Sequence, residues 1–394
     1  MQCLARRPPS IKALLNININ SLHVCRHQRH QFSTSRQLLQ QLRQVPFLPS
    51  WTQDVFEREA YIPSTPARLP RSAEHIPPAC LKWFIHDNDP DFVLTTSTSK
   101  ATSHDGGTGV DEIVHHPTSS ELRTSFWSDY ESTVVPLEIT SKNDQKGRDE
   151  NEETFDRIEA PLKVLLAHLS RPTSTKSQTQ QPDHDGRSMS IYLAQCDLTS
   201  LPPSVAGDIP TPLPLINPNG SSRSSSNSTS SRPSSSTPGR SHDPKRTSKG
   251  IIKGDIYASS LWLGRPPTYT PLHRDPNPNL FVQLAGRKVI RLLPPEVGGA
   301  LFEDVQHGIS HSRRPHVQSS SSTIRGEEMM VGPEKRALHD AIWSEGSQYS
   351  DIIPAYGLET EVKMGDALFI PKGWWHSVKG IGQGVTASAN WWFR

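Results

Sequence analysis

The stretch WLGRPPTYTPLHRDPNPNLFVQLAGRKVIRLLPP, residues 262–295, decides the fold class of this chain. It contains short runs of apolar and β-branched residues, such as NLFVQLAG and KVIRLLPP, which Gly and Pro separate from one another. Similar runs continue through GDALFIPKG, 365–373, to GVTASANWWF, 384–393. Many short strands at regular spacing are typical of an antiparallel sandwich or barrel. The sequence therefore predicts a mainly β fold.

A candidate metal site lies within these strands. His273 and Asp275 are two residues apart on extended chain, so their side chains point to the same side and can bind one ion together. A third ligand must come from a distant segment, and His376 in GWWHSV, 373–378, supplies one. Two imidazoles and one carboxylate leave the other coordination positions open, which is the arrangement of non-haem Fe(II) oxygenases.

Lys288 provides an independent indication of a ligand. In GRKVIRLL it shares one strand face with Ile290 and Leu292, while Arg287 and Arg291 lie on the other face. A buried ammonium group must find an anion or lose its proton, and an anionic ligand inside a barrel would satisfy it. The alternative is a lysine whose stem follows the sheet while its head reaches water.

WLGRPPTYTPLHRDPNPNLFVQLAGRKVIRLLPP and GDALFIPKGWWHSVKG, 365–380, together resemble the jumonji C (JmjC), cupin-like 2-oxoglutarate oxygenases, particularly their small hydroxylase-type members. The likeness extends discontinuously over about 126–394. It implies a double-stranded β-helix, that is, a cupin or jelly-roll barrel, with flanking N-terminal helices. It also implies that Fe(II) is bound by His273, Asp275 and His376, with 2-oxoglutarate and O2 as cosubstrates.

The same resemblance implies roles for further residues. Lys288 would pair with the remote carboxylate of 2-oxoglutarate, and Thr270 and Tyr192 would donate hydroxyl hydrogen bonds to it. Asn279 occupies a position where such enzymes often place a supporting amide, and Gln195 would face the substrate.

The activity that the resemblance implies is a dioxygenase that converts 2-oxoglutarate to succinate and hydroxylates a protein side chain or another macromolecular target. Hydroxylation is favoured over histone demethylation because no PHD, Tudor or zinc module is visible. Modification of an RNA base is a further alternative. The rivals from other classes are a catalytically silent cupin-like metal-binding or scaffold protein and a zinc or manganese cupin isomerase.

The charge distribution bears on partners and localisation. No Asp or Glu precedes Asp54, whereas residues 54–394 carry 35 basic against 40 acidic residues. A mildly acidic body argues against stable nucleic-acid binding. The acid-free, Arg-bearing segment 1–45 has the composition of a mitochondrial transit peptide and predicts the matrix; the alternative is a basic disordered tail on a cytoplasmic or nuclear protein. No apolar run is long enough to predict a membrane span.

The domain organisation follows from composition. Residues 46–215 are predicted to form the N-terminal part of the domain and 250–394 the barrel core, with a disordered Ser-rich insertion at 216–249 and a polar insertion at about 306–334. The N-terminal part is predicted to contain a strand over 134–139 and a helix over 154–170. Four tryptophans could wall the site or belong to the plain core: Trp374, Trp375, Trp391 and Trp392.

Overall fold

The protein is described by a computed structural model that places residues 42–86, 119–143, 153–171, 187–216, 252, 255–312 and 330–394. The strands within these ranges are β1 Arg43–Gln44, β2 Ala67–Leu69, β3 Phe84–His86, β4 Ser119–Leu122, β5 Val134–Asn143, β6 Glu153–Pro161, β7 Arg187–Asp197, β8 Ile256–Gly264, β9 Thr268–Arg274, β10 Asn279–Ala285, β11 Arg287–Leu293, β12 Leu358–Lys363, β13 Ala367–Ile370, β14 Trp375–Ile381, β15 Gln383–Gly384 and β16 Thr386–Phe393.

The helices are mostly short and flank the strands. The α-helices within the described ranges are α1 Gln53–Phe56, α2 Pro78–Lys82, α3 Thr124–Trp127, α4 Lys163–Leu169, α5 Pro203–Ala206, α6 Pro295–Ser312, α7 Gly332–Trp343 and α8 Ile352–Tyr356. A π-helical turn, Glu57–Tyr61, continues α1, and single 3-10 turns occupy Ala73–His75, Ser128–Tyr130, Leu198–Ser200 and Leu213–Leu215.

Two sheets form the barrel. One has five strands in the order β1-β12-β11-β14-β9, and the other has eight in the order β2-β13-β10-β16-β8-β7-β5-β6. Successive strands from β8 to β11 alternate between the two sheets, as do β12, β13, β14 and β16. At the β10–β11 crossing, Gly286 has a φ of +64°, and a Cβ there would lie 2.3 Å from the Val385 carbonyl oxygen. The predicted mainly β, double-stranded β-helix fold is confirmed.

Alternation along the strands separates three cores. A hydrophobic cluster that includes Ile290, Leu292 and Phe281 fills part of the space between the sheets. The outer face of the eight-stranded sheet packs against the N-terminal elements. The outer face of the five-stranded sheet, represented by Leu272 and Trp375, is covered by α6, α7 and α8. The chemistry described below lies on the inner faces.

The N-terminal part departs from prediction at one element. The strand predicted over 134–139 is confirmed within β5. The helix predicted over 154–170 is wrong in its first half, because residues Glu153–Pro161 form β6 and pair with all but the last residue of β5. Pro161 would have broken a helix at this point, and the long edge of β5 offers backbone pairing instead. Only Lys163–Leu169 is helical.

Two predicted boundaries also move. The predicted leader, 1–45, overlaps the barrel, because Arg43 and Gln44 pair in parallel with β12 and Val45 is buried. The polar insertion predicted at about 306–334 is shorter, since α6 extends to Ser312 and α7 begins at Gly332. Apolar residues at helical spacing in α6, including Leu301 and Val305, bury against the sheet and stabilise this extension.

The remaining boundary predictions concern residues outside the described ranges: 1–41, 217–249 and 313–329. Within the described ranges, no helix combines the length and the apolar character that crossing a membrane requires.

Candidate metal centre

His273 and His376 come together because their strands are neighbours in the five-stranded sheet. The register of β9 and β14 places the two residues directly opposite each other, and their ring centroids are 4.2 Å apart. Asp275 follows the end of β9, with Oδ1 3.9 Å from His273 Nε2 and Oδ2 3.7 Å from His376 Nε2. All three ligand atoms lie within 4.8 Å of one another, so these side chains can hold one metal ion.

Hydrogen bonds orient each of these side chains. His273 Nδ1 lies 2.8 Å from the Pro271 carbonyl oxygen and His376 Nδ1 lies 3.3 Å from that of Trp374. A carbonyl can only accept, so both Nδ1 atoms carry the proton and both Nε2 lone pairs are available to a metal. Asp275 Oδ2 accepts a hydrogen bond of 2.9 Å from Asn279 Nδ2.

Electrostatics keep Asp275 and His376 in the forms that bind metal. Burial by itself would raise the pKa of Asp275, but the two imidazoles and the hydrogen bonds from Trp392 and Asn279 outweigh it, and the pKa is lowered. Burial, together with the nearby His273 ring, lowers the pKa of His376 to about 4. At neutral pH the site therefore offers an ionised carboxylate and a neutral imidazole.

A β-bulge brings Thr270 to the same face as the histidines. Thr270 lies opposite Val378 and His273 lies opposite His376, so three steps along β9 match two steps along β14. Side chains three residues apart on a regular strand point to opposite faces, and the extra residue of the bulge cancels this difference. The structure therefore places Thr270 on the inner face, as its predicted role requires.

Lys288 lies on the same inner face, farther into the barrel. It is 3% exposed, which excludes the alternative of a lysine whose head reaches water. Its Nζ donates to Ser388 Oγ at 2.7 Å and lies 3.4 Å from the Tyr192 hydroxyl oxygen. Burial lowers the pKa of Lys288 to about 7. Among the described residues no carboxylate forms an ion pair with this amine.

Tyr192 reaches Lys288 from β7, where it lies over Gly264 of the next strand. A Cβ at position 264 would lie 2.1 Å from Tyr192 Cδ2, so only glycine leaves room for the ring. Burial raises the pKa of Tyr192, which stays protonated as a donor. Gln195 lies on the same strand at an irregularity between Leu193 and Cys196; it is exposed and has a φ of +52°.

Asn279 and the tryptophans take distinct positions. Asn279 holds Asp275 and accepts a hydrogen bond of 2.9 Å from Asn390, so it positions a ligand of the candidate metal site. Trp392 hydrogen-bonds Asp275 and belongs to the site. Trp375 and Trp391 lie in the outer cores. The fourth, Trp374, donates to the Ser64 carbonyl oxygen, 2.9 Å away.

Sequence reasoning missed two polar residues of β16. Ser388 and Asn390 face inward on this strand and contact Lys288 and Asn279. The signal was present in TASANWWF, 386–393, where polar residues alternate with Ala along the strand. Period-two alternation of this kind marks the polar side chains as a set that shares one face.

Comparison with known proteins agrees with this geometry. A family profile described as a cupin-like domain matches residues 103–394, well over half of the chain. Lysine-specific demethylase JMJ30 of Arabidopsis thaliana is 25% identical over 139 residues, which cover 35% of this chain and 27% of that protein. HSPB1-associated protein 1 of Homo sapiens is 30% identical over 137 residues, covering 34% of this chain and 23% of that protein.

A further relative, lysine-specific demethylase 8 of Danio rerio, is 27% identical over 139 residues, covering 35% of this chain and 28% of that protein. The match thus spans about a quarter of the length of these curated relatives. The profile covers strands β4 to β16 and the His-Asp-His cluster described above. The chain therefore belongs to the JmjC-type, cupin-like family.

Proposed function

We propose that this protein is an Fe(II)- and 2-oxoglutarate-dependent dioxygenase that hydroxylates a side chain of a protein substrate. One observation carries the proposal: the His273, Asp275 and His376 cluster and the buried amine of Lys288 share the interior of one barrel. Proteins of the JmjC family are in general 2-oxoglutarate-dependent oxygenases. The roles of individual residues are part of the proposal.

The donor set fits ferrous iron. Two imidazole nitrogens and one carboxylate on one side of the site match the facial arrangement of non-haem Fe(II) oxygenases. His273, Asp275 and His376 would hold the metal, and Asn279 keeps the carboxylate oriented. When bound, Fe(II) supplies the redox chemistry by which O2 oxidises 2-oxoglutarate to succinate and CO2 and hydroxylates the substrate.

The pocket around Lys288 fits the remote carboxylate of 2-oxoglutarate. Lys288 Nζ and the Tyr192 hydroxyl are donors, and Thr270 adds a hydroxyl on the same sheet face. The charged form of an amine that is 3% exposed and lacks a carboxylate partner among the described residues is unfavourable unless a ligand supplies the anion. This argument favours an enzyme over a silent scaffold protein, which would have no need of a buried amine.

The substrate class is proposed from the relatives and the sequence. The name of HSPB1-associated protein 1 refers to a protein partner, which supports a protein substrate. Other relatives are named lysine-specific demethylases, and demethylation remains the competing outcome. We favour hydroxylation because the sequence resembles the hydroxylase-type members of the family, and we propose the mitochondrial matrix because of its acid-free, Arg-bearing leader.

The test is succinate formation by the full chain, purified without oxygen and reconstituted with Fe(II). We expect 2-oxoglutarate to be converted to succinate when O2 is admitted, and the conversion to stop when Zn(II) replaces Fe(II) or when His376 is changed to Ala. Incubation with a mitochondrial extract should then give peptides that gain one oxygen atom. Metal binding without any conversion of 2-oxoglutarate would instead favour the scaffold alternative.

A further inference from the structure

Trp262 carries a buried N–H group without a partner. The register of β8 and β16 places Trp262 opposite Ser388, so its side chain begins on the inner face of the barrel. Its Nε1 is buried and has no hydrogen-bond partner among the residues that the structure describes. A buried Trp N–H normally finds an acceptor, as it does for other tryptophans of this chain: Trp51, Trp83, Trp127, Trp343 and Trp374.

The surroundings of Trp262 connect it to Lys288. Ser388, its cross-strand neighbour, accepts a hydrogen bond from Lys288 Nζ. The ring centroid of Trp262 is 6.2 Å from that of Tyr192, whose hydroxyl oxygen is also within reach of Lys288 Nζ. Two of the groups that contact the buried amine therefore flank the indole. Trp375, which also has an unpartnered Nε1 among the described residues, differs because it packs in an outer core.

The ligand that this pocket selects must be rich in acceptors. Lys288 Nζ, the Tyr192 hydroxyl and the indole N–H are all donors, and none of them hydrogen-bonds a carboxylate within the described part of the chain, although Glu138 lies opposite Tyr192 on the neighbouring strand. A carboxylate offers two oxygens and several lone pairs, and hydrogen bonds to a charged acceptor are stronger than neutral ones. An uncharged end group could not satisfy an ammonium group and two further donors at once.

We infer that the indole N–H of Trp262 binds the remote carboxylate of the 2-oxo acid that Lys288 holds, which makes Trp262 a specificity-determining residue for 2-oxo dicarboxylates over 2-oxo monocarboxylates. This inference rests on the proposed function and deepens it. Trp262 acts alongside Lys288, which supplies the charge, and Tyr192, which supplies a second neutral donor. The metal-binding end of the ligand is not affected by Trp262.

The experiment is calorimetry on the full chain loaded with Mn(II) under anaerobic conditions. Two ligands are compared: 2-oxoglutarate and 2-oxopentanoate, which has a methyl group in place of the remote carboxylate. For Trp262→Phe we expect 2-oxoglutarate to bind roughly 10-fold to 100-fold more weakly, as for the loss of a hydrogen bond to a charged group. Binding of 2-oxopentanoate and of Mn(II) should not change. Trp262→His, which keeps a ring N–H, should recover part of the loss.

The matched control is Trp51→Phe. The Trp51 indole donates to the Pro70 carbonyl oxygen and stacks on His75, and these residues are far from Lys288 along the chain. This control should leave both affinities unchanged. Equal 2-oxoglutarate affinities for wild type and Trp262→Phe would overturn the inference and leave the proposed function intact. An equal weakening of the binding of both ligands would also overturn it, because the indole would then contribute packing rather than a hydrogen bond to the remote carboxylate. Failure of the wild type to bind 2-oxoglutarate would overturn the proposed function itself.

Discussion

Lys288 and Ser388 join the two sheets of the barrel through a hydrogen bond of 2.7 Å from Nζ to Oγ. One residue belongs to β11 of the five-stranded sheet and the other to β16 of the eight-stranded sheet. A hydroxyl is a neutral partner, so the contact fixes the position of the amine without neutralising its charge. The charge is therefore left for an anionic ligand.

Removing this amine should weaken 2-oxoglutarate binding. For Lys288→Ala we expect a loss of roughly 30-fold or more, because a buried carboxylate without its cation loses about 2–5 kcal/mol. Binding of Mn(II) should stay nearly unchanged, and Lys288→Arg should rescue only part of the loss because the guanidinium is larger. Calorimetry measures the affinities for 2-oxoglutarate and for Mn(II). Lys379→Ala, on the outer face over Trp343, is the control, and equal affinities for wild type and Lys288→Ala would exclude the role.

The ligand-free protein should become more stable as the pH rises above 7. Burial lowers the pKa of Lys288 to about 7 in the folded chain, whereas the unfolded value is about 10.4. Between these values the unfolded chain binds more protons, so the free energy of unfolding rises with pH by at most about 1.4 kcal/mol per unit. Lys288→Met should remove this contribution. Urea unfolding between about pH 7 and about pH 9 measures this contribution. If the free energy of unfolding depended on pH identically in wild type and Lys288→Met, the lowered pKa of Lys288 would be contradicted.

Asp275→Ala should abolish turnover and metal binding. Loss of a ligand should weaken Mn(II) binding by more than the roughly 10-fold to 100-fold that follows removal of a ligand's supporting partner. Paramagnetic resonance of Mn(II) measures the affinity directly. Asp255→Ala is the matched control, because Asp255 is exposed and pairs with Arg394 at the surface. If Asp275→Ala retained full conversion of 2-oxoglutarate, the metal site would lie elsewhere.

Gly264→Ala should displace Tyr192 and thereby weaken 2-oxoglutarate binding. The added methyl group would lie 2.1 Å from Tyr192 Cδ2, so the ring must move away from Lys288. Metal affinity should not change, because the ligands lie on other strands. Gly308→Ala, with nothing within 4 Å of the added Cβ in α6, should leave 2-oxoglutarate affinity unchanged. A wild-type affinity in Gly264→Ala would show that the position of the Tyr192 ring does not matter.

The leader should direct import into mitochondria. Because Arg43 and Gln44 belong to the barrel, the fusion to a fluorescent reporter should carry residues 1–41. We expect mitochondrial fluorescence, since an acid-free, Arg-bearing amphipathic segment has the composition of a transit peptide. The double substitution Arg6→Glu and Arg7→Glu should reduce import. A diffuse signal from the unsubstituted fusion would contradict the proposed localisation.

Local patterns were sufficient for much of the site. The two-residue spacing of His273 and Asp275 and the strand parity of Lys288 each depend on a single strand, and both are visible in the sequence. The series of Gly- and Pro-bounded strands predicted the barrel, because each strand is recognisable from its own short segment. Apolar spacing also predicted α4, although this helix begins later than predicted because Pro161 would break the interior of a helix.

Contacts between distant strands were beyond the reach of local patterns. Ser388 meets Lys288 because β16 and β11 face each other across the barrel, and Trp262 meets Tyr192 because β8 and β7 are neighbours in the eight-stranded sheet. The strand at Glu153–Pro161 forms because β5 offers a free edge, which residue periodicity does not reveal. Likewise, α6 continues past residue 306 because the sheet beneath it, including Trp375, provides an apolar surface.

The bulge in β9 has a consequence for recognising related chains in genomes. Deleting one residue between Thr270 and His273 would remove the bulge, because two steps along β9 would then match two steps along β14, and the Thr270 hydroxyl would stay on the inner face. The HxD motif and the inward threonine would both survive this deletion, so a survey that requires a three-residue interval between them would miss chains in which β9 is regular. A search pattern that accepts either two or three residues from the threonine to the first histidine includes both forms.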